Sequence, residues 1–490
     1  MHYKAPKNKD EILLFQSYEQ WISKNNPVRL LDLLIDKIVS SNPDKFIWKG
    51  QSATGCKSYS PATMLKLLMY GYLNNIAGSR RLEKESYRNI ELLWLLGELH
   101  PDHWTICEYR RMNKDQVRLA TIKFREFLKS ENYIDGKTVA IDGSKLKAYT
   151  SREMLSMQAI EQRLSKVNEK LEQYLDEFQR TDSIEELTEE LESLTGNDEI
   201  NTALVDKIIE LQSKIEELEL QKKQLEESGK KYISLNDVDA NLMRSRDGKI
   251  PAYNAQVGVD GKNKMILLSE ITTEVSDINL LKEDVDKMKE QMDIEPEVIE
   301  ADKGYANTCE IKEVESNNKT ECYIPLPDNN HKKKDEKNGI EFKYDKDKDE
   351  YVCSQGRILK LKARNKKKRG HYYNVYQGID CIGCPLREKC TSSKTGRILH
   401  IATDKEWIDI YKERLKKAGA KAKIRERKKI VEHVFGSLKW MMGKFNFILT
   451  GKNKVQIELD LYASVYNFKR LINIEDIEIL MGKVRNYAWI

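Results

Sequence analysis

Residues 138–148, TVAIDGSKLKA, and 297–305, EVIEADKGY, each carry an aspartate where a short apolar run gives way to glycine: Asp142 in the first, Asp302 in the second. Apolar, β-branched runs bounded by turn formers read as strands. A third acid, Glu432, stands in KKIVEHVFGSLKWMMGKFNF (428–447), where apolar residues recur at helical spacing. Two strand-end carboxylates and a helical one suit a divalent-metal site, because hard cations such as Mg²⁺ take oxygen ligands. Two such ions about 3.5–4 Å apart can clamp the attacking and leaving oxygens of a phosphodiester. The expected chemistry is phosphoryl transfer on nucleic acid.

Working outward, YNAQVGVD (253–260) and KMILLSEITTE (264–274) read as the second and third strands. INLLKEDVDKMKEQ (278–291) reads as a helix, and CYIPL (322–326) as a strand after the one ending at Asp302. The order β-β-β-α-β, with acids ending the first and fourth strands, is the RNase H-like arrangement. Strands one and four are neighbours there, so Asp142 and Asp302 converge. The fold class expected is α/β: an RNase H-like mixed-sheet catalytic core with an all-helical N-terminal domain, an inserted antiparallel helical (coiled-coil) hairpin and a cysteine-rich insertion.

A chain of 490 residues exceeds one ordinary core and implies about three folding units. No uncharged apolar run approaches the roughly 20 residues that cross a bilayer, which predicts no membrane contact. The start, MHYKAPKNKDEILLF, lacks a secretory h-region and predicts a cytoplasmic protein whose eight cysteines stay reduced. The net charge of +5 is partitioned: residues 153–229 hold 21 Asp/Glu against 8 Lys/Arg, a balance of −13, leaving +18 for the remainder. A basic remainder favours a polyanionic partner through counterion release; a solvated surface is the plainer alternative.

The expected division is a helical DNA-binding domain at 1–130, a catalytic core at 131–152, 230–327 and 421–475, an acidic coiled-coil hairpin at 153–229, a basic cysteine-rich insertion at 328–420 and a tail at 476–490. In the first, Pro61 and Asp102 mark helix starts, and Arg80, Arg81, Arg110 and Arg111 are candidates for DNA phosphates. In the hairpin, Ile160, Leu164, Val167, Leu171, Tyr174 and Phe178, then Leu204, Ile208, Leu211, Ile215, Leu218, Lys222 and Leu225, alternate four and three apart. GND at 196–198 supplies a turn; pairing between two chains is the alternative. Cys353, Cys381, Cys384 and Cys390 (C-x27-C-x2-C-x5-C) suit a structural Zn²⁺ of S₄ type, against a reduced set that binds no metal. Cys56, Cys107, Cys309 and Cys322 read as core residues, and Asp277 and Asn279 as caps of the following helix. Asp135 reads as a turn residue, His433 as packing or surface and Asn467 as structural. Lys145, Lys147, Lys303 and Lys439 are basic neighbours of the acids, and Lys439, two helical turns after Glu432, shares its face.

These pieces together resemble a bacterial insertion-sequence transposase of the DDE class, near insertion-sequence groups four and eleven-eighty-two. The resemblance is carried by PDHWTICEYRR, VAIDGSKLKA, NDVDANLMRSRDGKIPAYNAQVGVD, ADKGY, the cysteine knuckle and the segment from VEHVFGSLKW to YNFKRL. It implies Asp142, Asp302 and Glu432 as catalytic acids holding two Mg²⁺ (or Mn²⁺) ions, with Lys439, Lys145, Lys303, Arg427, Arg80 and Arg81 meeting DNA. The group's Y-x2-R-x3-E-x6-K pattern is half present: Glu432 and Lys439 match, whereas Arg425 and Lys428 replace its tyrosine and arginine, with Arg427 a substitute. The implied partners are double-stranded DNA, as element ends and target, and a second copy of the chain, in a nucleoid-associated setting. Alternatives are an RNase H-fold nuclease without strand transfer and an inactive DNA-binding derivative.

Overall fold

The computed structural model describes residues 17–48, 58–150, 154–188, 198–234, 236–245, 248–318, 320–327, 330–368, 371–443 and 446–489. Among them the chain opens with α1 (Tyr18–Trp21), α2 (Pro27–Ser40), α3 (Pro61–Leu73), α4 (Ser79–Ser86), α5 (Ile90–Leu96), α6 (His103–Met112) and α7 (Lys114–Ser130). The starts follow from capping. Asn26 accepts from Val28 N, Ser60 from Thr63 N, Asn89 from Glu91 N and Asp102 from Thr105 N, each satisfying an orphan donor of the first turn. Pro27 and Pro61 sit at the first helical position, where proline's missing N–H costs nothing.

Next comes β1 (Thr138–Lys147), then α8 (Met157–Thr188) and α9 (Asp198–Ser228). These long helices run antiparallel against each other: Lys222 pairs with Glu161, and Lys207 lies over the Tyr174 ring. Leu155, Ile160, Leu218, Leu225 and Ile233 form a small cluster at the base, closed by a bridge between Leu155 and Ile233. The expected turn at 196–198 lies outside the described residues up to Asp198, as do the side chains of Phe178 and Leu204.

The chain then forms β2 (Asn241–Ser245), β3 (Gly248–Asp260), β4 (Ile266–Thr272), α10 (Leu281–Met292), β5 (Val298–Glu300), α11 (Thr308–Asn318) and β6 (Glu321–Tyr323). The described strands of this sheet are ordered β2-β3-β1-β5-β6, with β4 also paired to β3. β1 is antiparallel to β3 and parallel to β5, and β5 is parallel to β6. The five strands read from the sequence thus take the spatial order third, second, first, fourth, fifth; β2 was not foreseen.

α12 (Asn330–Lys337), β7 (Phe342–Asp345), β8 (Glu350–Cys353), β9 (Ile358–Lys368), β10 (His371–Gly378), α13 (Arg387–Cys390) and β11 (Ile398–Ala402) follow, the strands making a second, antiparallel sheet with its own cluster of Tyr351, Leu359 and Tyr376. α14 (Lys405–Lys416), α15 (Ala418–Met441), α16 (Lys452–Ile474) and α17 (Ile477–Asn486) complete the chain.

α15 lies on β1, β3, β5 and β6, while α16 packs on β4, α7 and α3. One continuous apolar core joins the N-terminal helices to the first sheet. Arg118 on α7 reaches Asp460 at 2.6 Å and also pairs with Glu270, and Arg125, fully buried, donates to Ser269 Oγ at 2.6 Å. Asn467 accepts from Ile266 N at 2.7 Å and donates to Ile266 O at 2.8 Å, so α16 covers polar backbone that β4 leaves open. Residues 476–489 do more than trail: α17 buries Leu480 and Val484 and packs on α2, and the Trp489 ring stacks near Phe127. Among the described residues no helix is long and apolar enough to cross a membrane.

Candidate active site

The parallel pairing of β1 and β5 sets Ala140 opposite Glu300. Two residues further along each chain come Asp142, the fifth of the ten residues of β1, and Asp302, just past the end of β5, so register alone carries both acids to the same level of the sheet; the strand end expected at Asp142 is not there, because β1 runs on to Lys147 along β3. Asp302 stays half-buried, its carboxylate accepting from Gly304 N at 2.7 Å at the start of a short 3-10 turn. The Asp142 carboxyl is pushed up from the ordinary aspartate range. Burial is the largest cause, the Arg427 guanidinium opposes it, and the neighbouring Asp302 charge raises it further. Arg427, buried on the sheet side of α15, donates through Nη1 to Asp142 Oδ2 at 2.9 Å. Two carboxylates in mutual electrostatic reach with one protein cation between strand and helix make a site that favours added positive charge.

Asp277 departs from its sequence reading. α10 begins at Leu281 and has no side-chain cap; Asn279 accepts from Asn307 at 2.9 Å. The Asp277 carboxylate turns instead toward β1 and β3, accepting from Lys145 Nζ at 2.9 Å, Asn254 Nδ2 at 2.6 Å and Gln256 Nε2 at 2.9 Å. Gln256 in turn accepts from the buried Tyr305 hydroxyl. This network lies directly against Gly143, the residue after Asp142: a Cβ there would stand 2.6 Å from Gln256 Nε2 and 2.7 Å from Asp277 Oδ1. Lys145, expected to meet DNA, is therefore held by Asp277, on the face of β1 opposite to Asp142. Asp277 escaped the sequence reading because its partners are 21 to 132 residues away; the glycine after Asp142 was the one local trace of a crowded face.

Glu300 is a second residue the sequence left unread. It is fully buried and both carboxyl oxygens lack a hydrogen-bond partner. Burial, with Glu426 adding to it and Lys423 and Arg427 opposing, pushes its carboxyl up to about 7.

Glu432 stands exposed on α15, one and a half turns beyond Arg427, with His433 beside it and Lys439 partly covered two turns on. Among the described residues no three of His, Cys, Asp and Glu form a cluster able to hold a metal ion, so Asp142 and Asp302 are brought together and Glu432 is not gathered with them. Lys303 is exposed beside Asp302, and Arg80 and Arg81 are exposed on α4. Arg110, by contrast, is buried and donates to Ala77 O at 2.9 Å, so it is not presented to a phosphate, whereas Arg111 is exposed and pairs at the surface with Glu108 at 2.6 Å. Asp135 receives the N–H of Lys137 at 3.0 Å, a turn role.

In the second sheet, Cys353 at the end of β8 and Cys381 both lie near enough to Cys390 for their charges to be felt at its thiol, which burial pushes up. Among the described residues the four do not close a metal-holding cluster. Cys322 is buried as expected, whereas Cys107 is exposed and donates to Ser79 Oγ at 3.1 Å. Cys56 lies outside the described residues.

Two family descriptions match the chain: a transposase DDE domain over residues 352–472, which runs from β8 through α15 and α16, and a transposase domain (DUF772) over residues 16–112, the N-terminal helices. No curated protein and no solved structure matches. The DDE description implies an RNase H-like core, DNA as substrate and a divalent metal. The residues present fit such an ion at the acid pair, where hard oxygen donors and desolvated negative charge stand together.

Proposed function

We propose, from the premise that this chain belongs to the insertion-sequence DDE transposases, that it binds the ends of its element and catalyses strand cleavage followed by strand transfer. The observation that carries the reading is the side-by-side placement of Asp142, within β1, and Asp302, just past the end of the parallel neighbour β5, under the helix that bears Glu432. Asp142 and Asp302 would hold Mg²⁺ or Mn²⁺, and Glu432 joins them when α15 turns or slides upon loading with DNA. Two ions bound there supply Lewis-acid stabilisation of the in-line displacement.

The chain's own residues do the rest. Lys145, which Asp277 holds in the free protein, and Lys303, Lys439, Arg80 and Arg81 neutralise backbone charge. The division into an N-terminal DNA-binding block, a catalytic core and two inserted segments at 153–229 and 328–420 is part of the proposal, as are assembly as a dimer and a structural zinc at Cys353, Cys381, Cys384 and Cys390.

A supercoiled plasmid carrying the element's ends, incubated with the protein and Mg²⁺, tests the reading. Wild type is expected to release and rejoin the element, while Asp142→Asn, Asp302→Asn and Glu432→Gln each lose at least about 100-fold in cleavage, the scale of a lost electrostatic catalyst. Full cleavage by the Glu432 variant would detach the third acid from the site. Nicking without joined product would reduce the activity to that of a nuclease.

A further inference from the structure

A metal ion at Asp142 sets its positive charge against the Arg427 guanidinium, which donates to Oδ2 at 2.9 Å, and so favours displacement of Arg427. A buried guanidinium released from one carboxylate needs another, because an unpaired charge in the interior is costly. Arg427 is itself buried on the face of α15 that packs on β1 and β5.

One acceptor is already in place. Glu300 stands opposite Ala140 in the β1–β5 register, two residues before Asp302, and it is fully buried with neither carboxyl oxygen hydrogen-bonded. Buried polar atoms in folded proteins are almost always paired, and an orphan carboxylate calls for a physical reason. The charged groups felt at Glu300 are Glu426, Lys423 and Arg427, all from α15. Lys423 lies over the Tyr323 ring at 4.4 Å and Glu426 is exposed, which leaves Arg427 as the buried cation of opposite sign.

We infer that Glu300 is the second seat of Arg427: the guanidinium guards Asp142 in the metal-free protein and crosses to Glu300 when a divalent cation takes the acid pair. Glu300 is thus a positioning residue that acts through Arg427 and touches neither metal nor DNA. The inference rests on the reading of Asp142 and Asp302 as metal ligands.

Direct Mn²⁺ binding to the full-length chain, by calorimetry or by loss of the free-ion electron paramagnetic resonance signal, tests it without DNA. Glu300→Gln keeps the shape and removes the second seat, so Mn²⁺ binding should weaken by about tenfold, the step that 1.4 kcal/mol represents. Arg427→Gln removes the competitor and should tighten binding. In the Arg427→Gln background, Glu300→Gln should then have no further effect, an interaction that a general loss of packing would not produce. Unchanged affinity in Glu300→Gln, or an equal weakening with and without Arg427, overturns the second seat. If wild type binds Mn²⁺ and Asp142→Asn abolishes it, such a result counts against the seat alone. A wild-type chain that binds no Mn²⁺ overturns the metal-site reading and the seat with it.

Discussion

Gly143 shows how closely the face of β1 opposite to Asp142 is built. A Cβ at this position would meet Gln256 Nε2 at 2.6 Å, Asp277 Oδ1 at 2.7 Å and Asn254 Oδ1 at 2.9 Å. These are side-chain ends, which ordinarily swing aside, but here each is committed: Asp277 accepts from Lys145, Asn254 and Gln256, and Gln256 accepts from Tyr305. Gly143→Ala therefore has to break the network that holds Lys145. The expected cost is about 1–3 kcal/mol of stability, as for other overpacked sites. Cleavage should fall by more than the folded fraction does, because the strand residue that has to shift adjoins Asp142. Thermal melts and cleavage assays on the same preparation check this, and an alanine variant with both properties intact would show that this face is loose. At this scale the sequence showed which acids lie on or beside strands, since apolar runs and glycines are local signals, but it ended β1 at Asp142, whereas pairing with β3 carries the strand on to Lys147. It could not show Asp277 or Glu300: a carboxylate's partners are set by strand register, and Asp277 meets Lys145 across 132 residues.

The elements divide by the strength of their periodicity. β1, β3, β4 and β5 were legible because their interior positions are apolar and β-branched, and α15 because its buried residues Ile430, Val431, Val434, Phe435 and Leu438 follow one helical stripe. The direction in which that stripe points decides a question the sequence left open. It carries Arg427 onto Asp142 and turns Glu432 outward, so possession of a third acid on the right helix does not by itself assemble a triad. The second sheet lies in the segment read as a basic insertion, for which a solvated β-hairpin was the plainer alternative; its lysines are concentrated in β9, and β7, β8 and β11 are only four or five residues long. That sheet has a thin apolar cluster of Tyr351, Leu359 and Tyr376, and small cores commonly need a staple. Cys353 and Cys381 approach Cys390 where β8 and the segment after β10 meet. The zinc proposal predicts about one zinc per purified chain by elemental analysis, with proteolytic cuts within 340–402 appearing once a strong chelator has removed it. Zinc-free protein that resists the protease equally would leave the sheet to its packing alone.

Across the whole molecule, one core running from the N-terminal helices into the first sheet places acids where water cannot reach them. Glu458 on α16 is buried, and although its carboxylate accepts from the backbone N–H groups of Ile448 and Leu449, burial pushes it up to about 8. Burial likewise pushes Glu310 up to about 7 and raises Asp284 well above its ordinary value. In the unfolded chain such carboxyls release their protons near 4. Between there and pH 8 the folded protein holds protons that the unfolded chain has lost, so stability falls as pH rises. This contribution is fully present below the unfolded values and is lost as pH climbs through about 7 to 8. His433 has the opposite sign, since burial, Arg470 and Lys264 lower it from 6.5, but its effect lies below that pH. Denaturant unfolding should therefore show the protein less stable at pH 8.5 than at pH 6.5, by on the order of 1–2 kcal/mol. Glu458→Gln, which cannot ionise, should flatten the slope over the same range. Equal or greater stability at pH 8.5 in the wild-type chain would mean that the buried glutamates find water or a cation, and that α16 sits less tightly on the core than its packing indicates.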